Sequence, residues 1–216
     1  MRPLPRSSAK ADPGTVVLDH VFTDVIAALR DVLDAALLEP QAIEERFHTD
    51  VLAGDLTWQT AYSLPGEGSP PRVQADLTLE WPTWSQSAYR SWRLGESFSE
   101  PPHIDIEVVF RIQRLVQAPD VAAVSVVLAP QSSLIGTTRL ERTGPRVEVA
   151  YDPDLSNPEH AIEIGFEGTY ELEEATLSDP TKLDEHFASM GGWIASTLVH
   201  LGDLNLEFLP PEEEGL

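Results

Sequence analysis

Residues 103–114 read His-Ile-Asp-Ile-Glu-Val-Val-Phe-Arg-Ile-Gln-Arg, and their alternation decides the fold class. Ile104, Ile106, Val108, Phe110 and Ile112 fall on one side of an extended chain, because successive strand side chains point to opposite faces. Asp105, Glu107, Arg111 and Gln113 fall on the other. One face suits a core and the other suits water, which is the pattern of an antiparallel strand.

Outward from this stretch the period of two recurs. Leu56–Tyr62, Val73–Trp81, Ser85–Leu94, Val121–Ala129, Leu134–Glu141, Val147–Tyr151 and Ala161–Leu172 alternate or are rich in β-branched and aromatic residues, with Pro, Gly, Asn and Asp between them. Together with His103–Arg114 they predict about eight strands at the spacing of an antiparallel meander. Hairpins are expected at Gln117–Asp120 and at Thr143–Gly144–Pro145, the second joining Leu140–Arg142 to Arg146–Val149. The stretch Leu64–Pro71 reads as a long loop.

Helices flank the strands. Val21, Phe22, Val25, Ile26, Ala28, Leu29, Val32, Leu33, Ala36 and Leu37 recur at three- and four-residue steps, with Asp19 as N-cap. Pro40 disfavours helical geometry just before it, so the run is expected to break there and restart at Gln41–Phe47. Near the other end, Ser178 or Asp179 caps a helix with Pro180 in its first turn. Its stripe is Leu183, Phe187, Met190, Ile194, Leu198 and Leu201, with Gly202 as the stop. Gly191 and Gly192 inside it lower helix stability, and so point to a close approach by another element. Leu204, Leu206 and Phe208 alternate as a short terminal strand. The expected fold is α+β: an N-terminal helical segment, an antiparallel sheet or incomplete barrel of about eight strands, a C-terminal helix packed on the sheet, and that strand. Residues 1–14 read as a flexible tail, 15–209 as one domain and 210–216 as an acidic tail.

Composition narrows the class. With 216 residues, 42% of them hydrophobic, the chain has the make-up of a soluble globular protein. The cysteine count is zero, which removes disulfides, thiolate nucleophiles and cysteine zinc sites and fits a reducing compartment. The longest apolar run, Val121–Ala129, is far short of the ~20 residues that cross a bilayer, and Met1–Gly14 lacks the apolar segment of a secretory signal. Cytoplasm is the expected location, with no membrane partner.

The net charge of −22 is unevenly spread: from Glu148 to Glu214 there are 17 acids and a single base, Lys182. Such a chain repels a phosphate backbone, so nucleic acid is excluded as a partner. Much of the acidity has a local explanation. In Ala161–Leu172 the residues Ile162, Ile164, Phe166, Tyr170 and Leu172 face one way, whereas Glu163, Glu167, Glu171 and then Glu173 form the wet side. Eight of the 12 arginines lie between Arg72 and Arg146, and cross-strand pairs with them absorb part of the charge. The excess remains an acidic surface.

Motifs for chemistry are sparse. Glu45 and His48, with Glu44 before them, have the one-turn spacing of a helical carboxylate metal centre, but no second Glu-x-x-His lies in an expected helix to complete one. Asp152, Asp154, Ser156 and Glu163 occupy positions one, three, five and twelve of a loop that resembles the EF-hand over 12 residues. This weak calcium candidate has strand-like flanks, and an acidic β-hairpin loop accounts for it as well. Trp84 and Trp92 share strand parity with Arg90, while Tyr89 and Arg93 lie opposite, so the segment offers either sheet packing or an aromatic binding surface. No Gly-x-Ser-x-Gly turn, Gly-rich phosphate loop or His-Glu-x-x-His motif occurs, and no catalytic residue is named.

These readings lead to a non-enzymatic acidic protein (an adaptor, chaperone or inhibitor) that meets a basic protein partner. The candidate binding residues are Glu163, Glu167, Glu171, Glu173, Trp84, Trp92 and Arg90, and no cofactor is implied. In charge and in mixing a sheet with terminal helices the chain is similar to small acidic export chaperones of the SecB or type III secretion kind. It lacks the Pro-Tyr-x-Arg-Glu segment of SecB. Two alternatives stay open: a barrel similar to calycin or START-type proteins holding a small apolar ligand, and a hydrolase-type enzyme using carboxylates or one of His48, His103, His160, His186 and His200. A homo-oligomer is a further open alternative.

Overall fold

In the computed structural model, which describes residues 16–41, 48–49, 54–67, 69–151, 158–177 and 179–210, helix α1 spans Val16–Ala35. Phe22, Val25, Ile26, Leu29 and Leu33 are its buried stripe. The helix ends before Pro40 acts on it. Leu37 adopts a left-handed φ of 58°, and the Leu38 N–H bonds the Leu33 carbonyl at 3.3 Å, closing the last turn and returning Leu38 to the core. Glu39–Pro40 then forms the short strand β1 and His48–Thr49 the short strand β2. The helix expected at Gln41–Phe47 falls, from residue 42 on, outside the described residues; Gln41 donates its N–H to the Ala61 carbonyl at 2.9 Å.

Four long strands carry the sheet and were legible as such: β3 (Leu56–Ser63), β4 (Val73–Trp81), β5 (His103–Leu115) and, near the end, β8 (Glu159–Glu171). The short β6 (Glu141–Arg142) and β7 (Arg146–Ala150) precede β8. The order is β1-β3-β4-β5-β8-β6, with β2 also on β3 and β7 also on β8, and every pairing is antiparallel. The sheet is therefore open. Between the strands run α2 (Thr83–Arg93) and α3 (Val121–Val127), and α4 (Glu174–Leu177) and α5 (Pro180–Gly202) follow β8. The expected terminal strand is reduced to a bridge between Leu115 and Phe208, beside the hydrogen bond from the Val116 N–H to the Glu207 carbonyl.

Three expected strands are not strands. Ser85–Leu94 falls in α2, because Ser85, Ala88 and Tyr89 are buried and Trp92 is partly so at helical spacing, a period masked by aromatic residues that favour strands. Its start is held by Asp55, whose carboxylate accepts the Thr83 N–H at 2.6 Å and the Thr83 hydroxyl at 2.7 Å. Those bonds hold the Asp55 carboxyl below its usual range. Val121–Ala129 contains α3, whose first turn is capped by Asp120 accepting from the Ala122 N–H at 2.9 Å. Capping overrides the β preference of its valines. This also removes the hairpin expected at Gln117–Asp120. In Leu134–Glu141 the chain turns at Gly136 (φ 64°), and only Glu141 reaches a strand.

The second expected hairpin is likewise replaced. β6 and β7 do not pair with each other; both run along β8, with Glu141 opposite Glu167 and Arg146 opposite Glu163. Thr143–Gly144–Pro145 is a break in one edge. Thr143 fills the space beside Gly165, where an added Cβ would meet its Oγ1 at 2.6 Å.

The inward residues of β3, β4, β5 and β8 join α1 and α5 in one core, with Trp58, Trp81, Phe110, Phe166 and Phe187 among its largest buried side chains. Phe22 stacks on Trp81 at 6.2 Å, and Trp193 of α5 meets Phe110 and Phe166 edge-on at 5.4 and 5.0 Å. The two helices come close at Gly191, where a Cβ would lie 2.7 Å from Val32 Cγ1, whereas nothing lies within 4 Å of one on Gly192. Neighbouring glycines thus carry opposite expectations. Gly191→Ala lowers stability by about 1–2 kcal/mol despite its gain in helix propensity. Gly192→Ala raises it by up to about 1 kcal/mol. Urea unfolding of the two variants checks the difference in sign. Among the described residues no helix is long and apolar enough to cross a membrane.

Candidate functional site

The outward face of the sheet follows from strand register. Glu141 on β6 faces Glu167 on β8, which faces Glu107 on β5, which faces Thr78 on β4. One row along, Glu80 faces Asp105, which faces Thr169. α1 and α5 make ring contacts with the inward residues Trp81, Phe110 and Phe166, and α2 meets Trp81 through Tyr89 and His103 through Trp84. The outward Glu107 and Glu167 are exposed, and Glu80 and Asp105 half-exposed. These four carboxylates, with Thr78 and Thr169, line a cleft of about 500 Å³ to which, among the described residues, no lysine or arginine contributes.

The other half of this face is balanced internally. Arg111 forms a close ion pair with Glu163 and lies 3.8 Å from Asp76, and Arg146 approaches Glu163 at 3.8 Å. Burial pushes the Asp76 carboxyl up, Arg111 and a hydrogen bond from Gln74 oppose the shift, and Glu163 and Glu107 add to it. Asp76 therefore favours folding less once it ionises. The arginines serve this half only.

The sequence-predicted residues separate accordingly. Glu163 is committed to Arg111 and Arg146, whereas Glu167 lines the acidic cleft. Glu171 faces His103 across the β5–β8 pair, and the His103 ring lies 3.3 Å from Asp105 and edge-on to Trp84 at 4.8 Å. The fold thus brings Trp84, distant in sequence, to the acidic edge. Trp92 packs instead on Tyr89 at 5.7 Å, and Arg90 is exposed in the last turn of α2. Their shared strand parity is corrected by the helix, where residues two apart face nearly opposite ways.

Glu171 and Glu173 also line a smaller cleft of about 290 Å³ with Lys182, Glu185, Tyr170 and His186. There the Tyr170 hydroxyl and His186 Nδ1 are 2.9 Å apart, and burial pushes the Tyr170 phenol up to about 12, so it stays protonated. The other histidines do not join this pair: His103 lies at the start of β5, His160 has a buried Nδ1 with no hydrogen-bond partner among the described residues, and His200 is exposed late in α5. His48 is in β2, while Glu44, Glu45, Asp152, Asp154 and Ser156 lie outside the described residues. The strands on either side of the last three in sequence, β7 and β8, pair antiparallel. Among the described residues no group of three or more His, Asp or Glu side chains is placed to hold a metal ion.

Glu80, Asp105, Glu107 and Glu141 were missed as site residues. Their outward parity was visible in the sequence, but their convergence on Glu167 depends on β5 and β6 flanking β8, which no local pattern encodes. Comparison with family models, with curated proteins and with solved structures gives no match for this chain.

Proposed function

We propose that the chain is a non-enzymatic binding protein whose acidic sheet face engages a protein partner with a basic surface. The observation that carries this reading is the row Glu141–Glu167–Glu107, three carboxylates directly opposite one another on adjacent strands. Like charges so placed destabilise a sheet, by roughly 0.2–1 kcal/mol per pair. Gln131 donates to Glu141 at 2.6 Å, and the two thirds of the row that line the cleft face no cation of the cleft lining. A basic surface supplies the missing charge, steers the encounter and fixes its register. Trp84 beside His103 adds an apolar border at one end of the face. An adaptor, chaperone or inhibitor fits this description.

Glu167→Lys separates binding from folding. It replaces two repulsive pairs with attractive ones, so stability rises by about 1 kcal/mol. Binding falls at the same time. In affinity capture from the source lysate at low and high ionic strength, the wild-type chain retains a basic protein at low salt that Glu167→Lys does not retain. Equal retention by the variant would remove the reading.

A further inference from the structure

A second surface lies on the helical layer, on the side of the sheet opposite the acidic cleft. N-terminal to the Val32–Gly191 contact, α1 and α5 leave a groove of about 630 Å³ between them. Its apolar lining is Val21, Ala27, Ala28, Val32, Leu183 and Ala188. Asp24 and Asp31 stand along the α1 side, Asp184 and Glu185 along the α5 side, all four exposed. Among the described residues no lysine or arginine contributes to the lining.

We propose that this groove docks a basic amphipathic helix of a partner protein. Shape and charge both select that occupant. Alanines at 27, 28 and 188 keep the groove shallow enough for a third helix to approach the pair, since the distance between helix axes follows the side chains at the contact. The apolar residues take the partner's side chains at i, i+3, i+4 and i+7. Asp24 and Asp31, seven residues apart on one helix, stand about 10 Å apart along its axis, two turns of a docked helix. With acids on both rims, the partner carries lysine or arginine on both flanks of its apolar stripe. This inference is independent of the sheet-face reading, because it uses other residues on another layer.

The test uses the full chain and a fluorescein-labelled peptide of about 18 residues, with leucines at helical spacing and lysines flanking them. Its control has the same composition with the leucines spread around the helix. The amphipathic peptide is expected to bind at least about tenfold more tightly than the control. On binding it protects the amides of 21–32 and 183–188 from hydrogen exchange. A chain with Asp24→Asn, Asp31→Asn, Asp184→Asn and Glu185→Gln loses at least about tenfold in affinity, as does Ala188→Trp, which fills the groove. Glu107→Gln with Glu167→Gln leaves the affinity unchanged. The neutralised variant changes no side-chain size, so it remains informative if Ala188→Trp does not fold. Equal binding of both peptides, retained binding by the neutralised chain, or loss on the sheet-face substitutions would overturn the proposal. Binding that emerges only when residues 1–15 are removed would overturn it too, by assigning the groove to the chain's own tail with its Arg2, Arg6 and Lys10.

Discussion

Phe166→Ala is expected to lower stability by about 3–5 kcal/mol, the largest effect of any single truncation considered for this fold. Phe166 is 1% exposed and sits inward on β8, where its ring meets Phe110 edge-on at 5.8 Å and Trp193 at 5.0 Å. Its removal forfeits the transfer free energy of the ring and leaves a cavity that three structural elements cannot close together. It also ends two edge-to-face contacts, each worth about 0.5–1.5 kcal/mol beyond burial. Against a total of about 5–15 kcal/mol, such a loss is a large fraction. A double-mutant cycle with Trp193→Ala isolates the aromatic part: a coupling near zero would show that burial alone accounts for the effect. Chemical denaturation supplies all four values.

Arg114→Ala should follow at about 2–4 kcal/mol. Arg114 is 4% exposed and lies at the irregularity in the β5–β8 pairing between Ile112 and Leu115. Its guanidinium donates to the carbonyls of Pro70 at 3.3 Å, Leu209 at 3.2 Å and Pro210, while its own N–H reaches Glu159 Oε1 at 3.0 Å. One side chain thus fastens the long loop and the segment after α5 to the end of β5. Alanine leaves those carbonyls without their donor and opens a route to water. Arg114 also has a left-handed φ of 62°, a conformation that disfavours alanine but not glycine. Arg114→Gly is therefore expected to lose about 1 kcal/mol less than Arg114→Ala. In both variants limited proteolysis should cleave near residues 203–210 at lower denaturant than in the wild type. A C-terminal segment that stays protected would contradict the fastening role.

How far the sequence discloses this molecule depends on how far a residue's environment is local. In β5, the alternation of Ile104 to Ile112 with Asp105 to Gln113 is enforced by one buried face, and the strand forms where the pattern places it. α5 is equally legible, since Leu183, Phe187, Met190, Ile194, Leu198 and Leu201 are all buried. α2 is not, because Trp84, Tyr89 and Trp92 carry β preference while Asp55, 28 residues upstream of Thr83, anchors the helix start. The acidic site shows the same division. That Glu167 faces outward was readable; that Glu107 and Glu141 flank it was not, because pairing between residues 60 and 26 apart is a property of the assembled sheet.

The β5–β8 pairing has a kinetic consequence. Its residues join positions 45 to 68 apart, from Leu115 with His160 to His103 with Glu171, whereas β3 and β4 join positions only 11 to 25 apart. Loop closure delays such distant contacts, so β3, β4 and β5, whose pairings join positions 11 to 39 apart, can assemble while one edge of β5 awaits its neighbour. That waiting edge is where a nascent chain is open to adhesion by other strands. Asp105 and Glu107 lie on it, and their mutual repulsion between chains keeps half-formed molecules apart until β8 arrives.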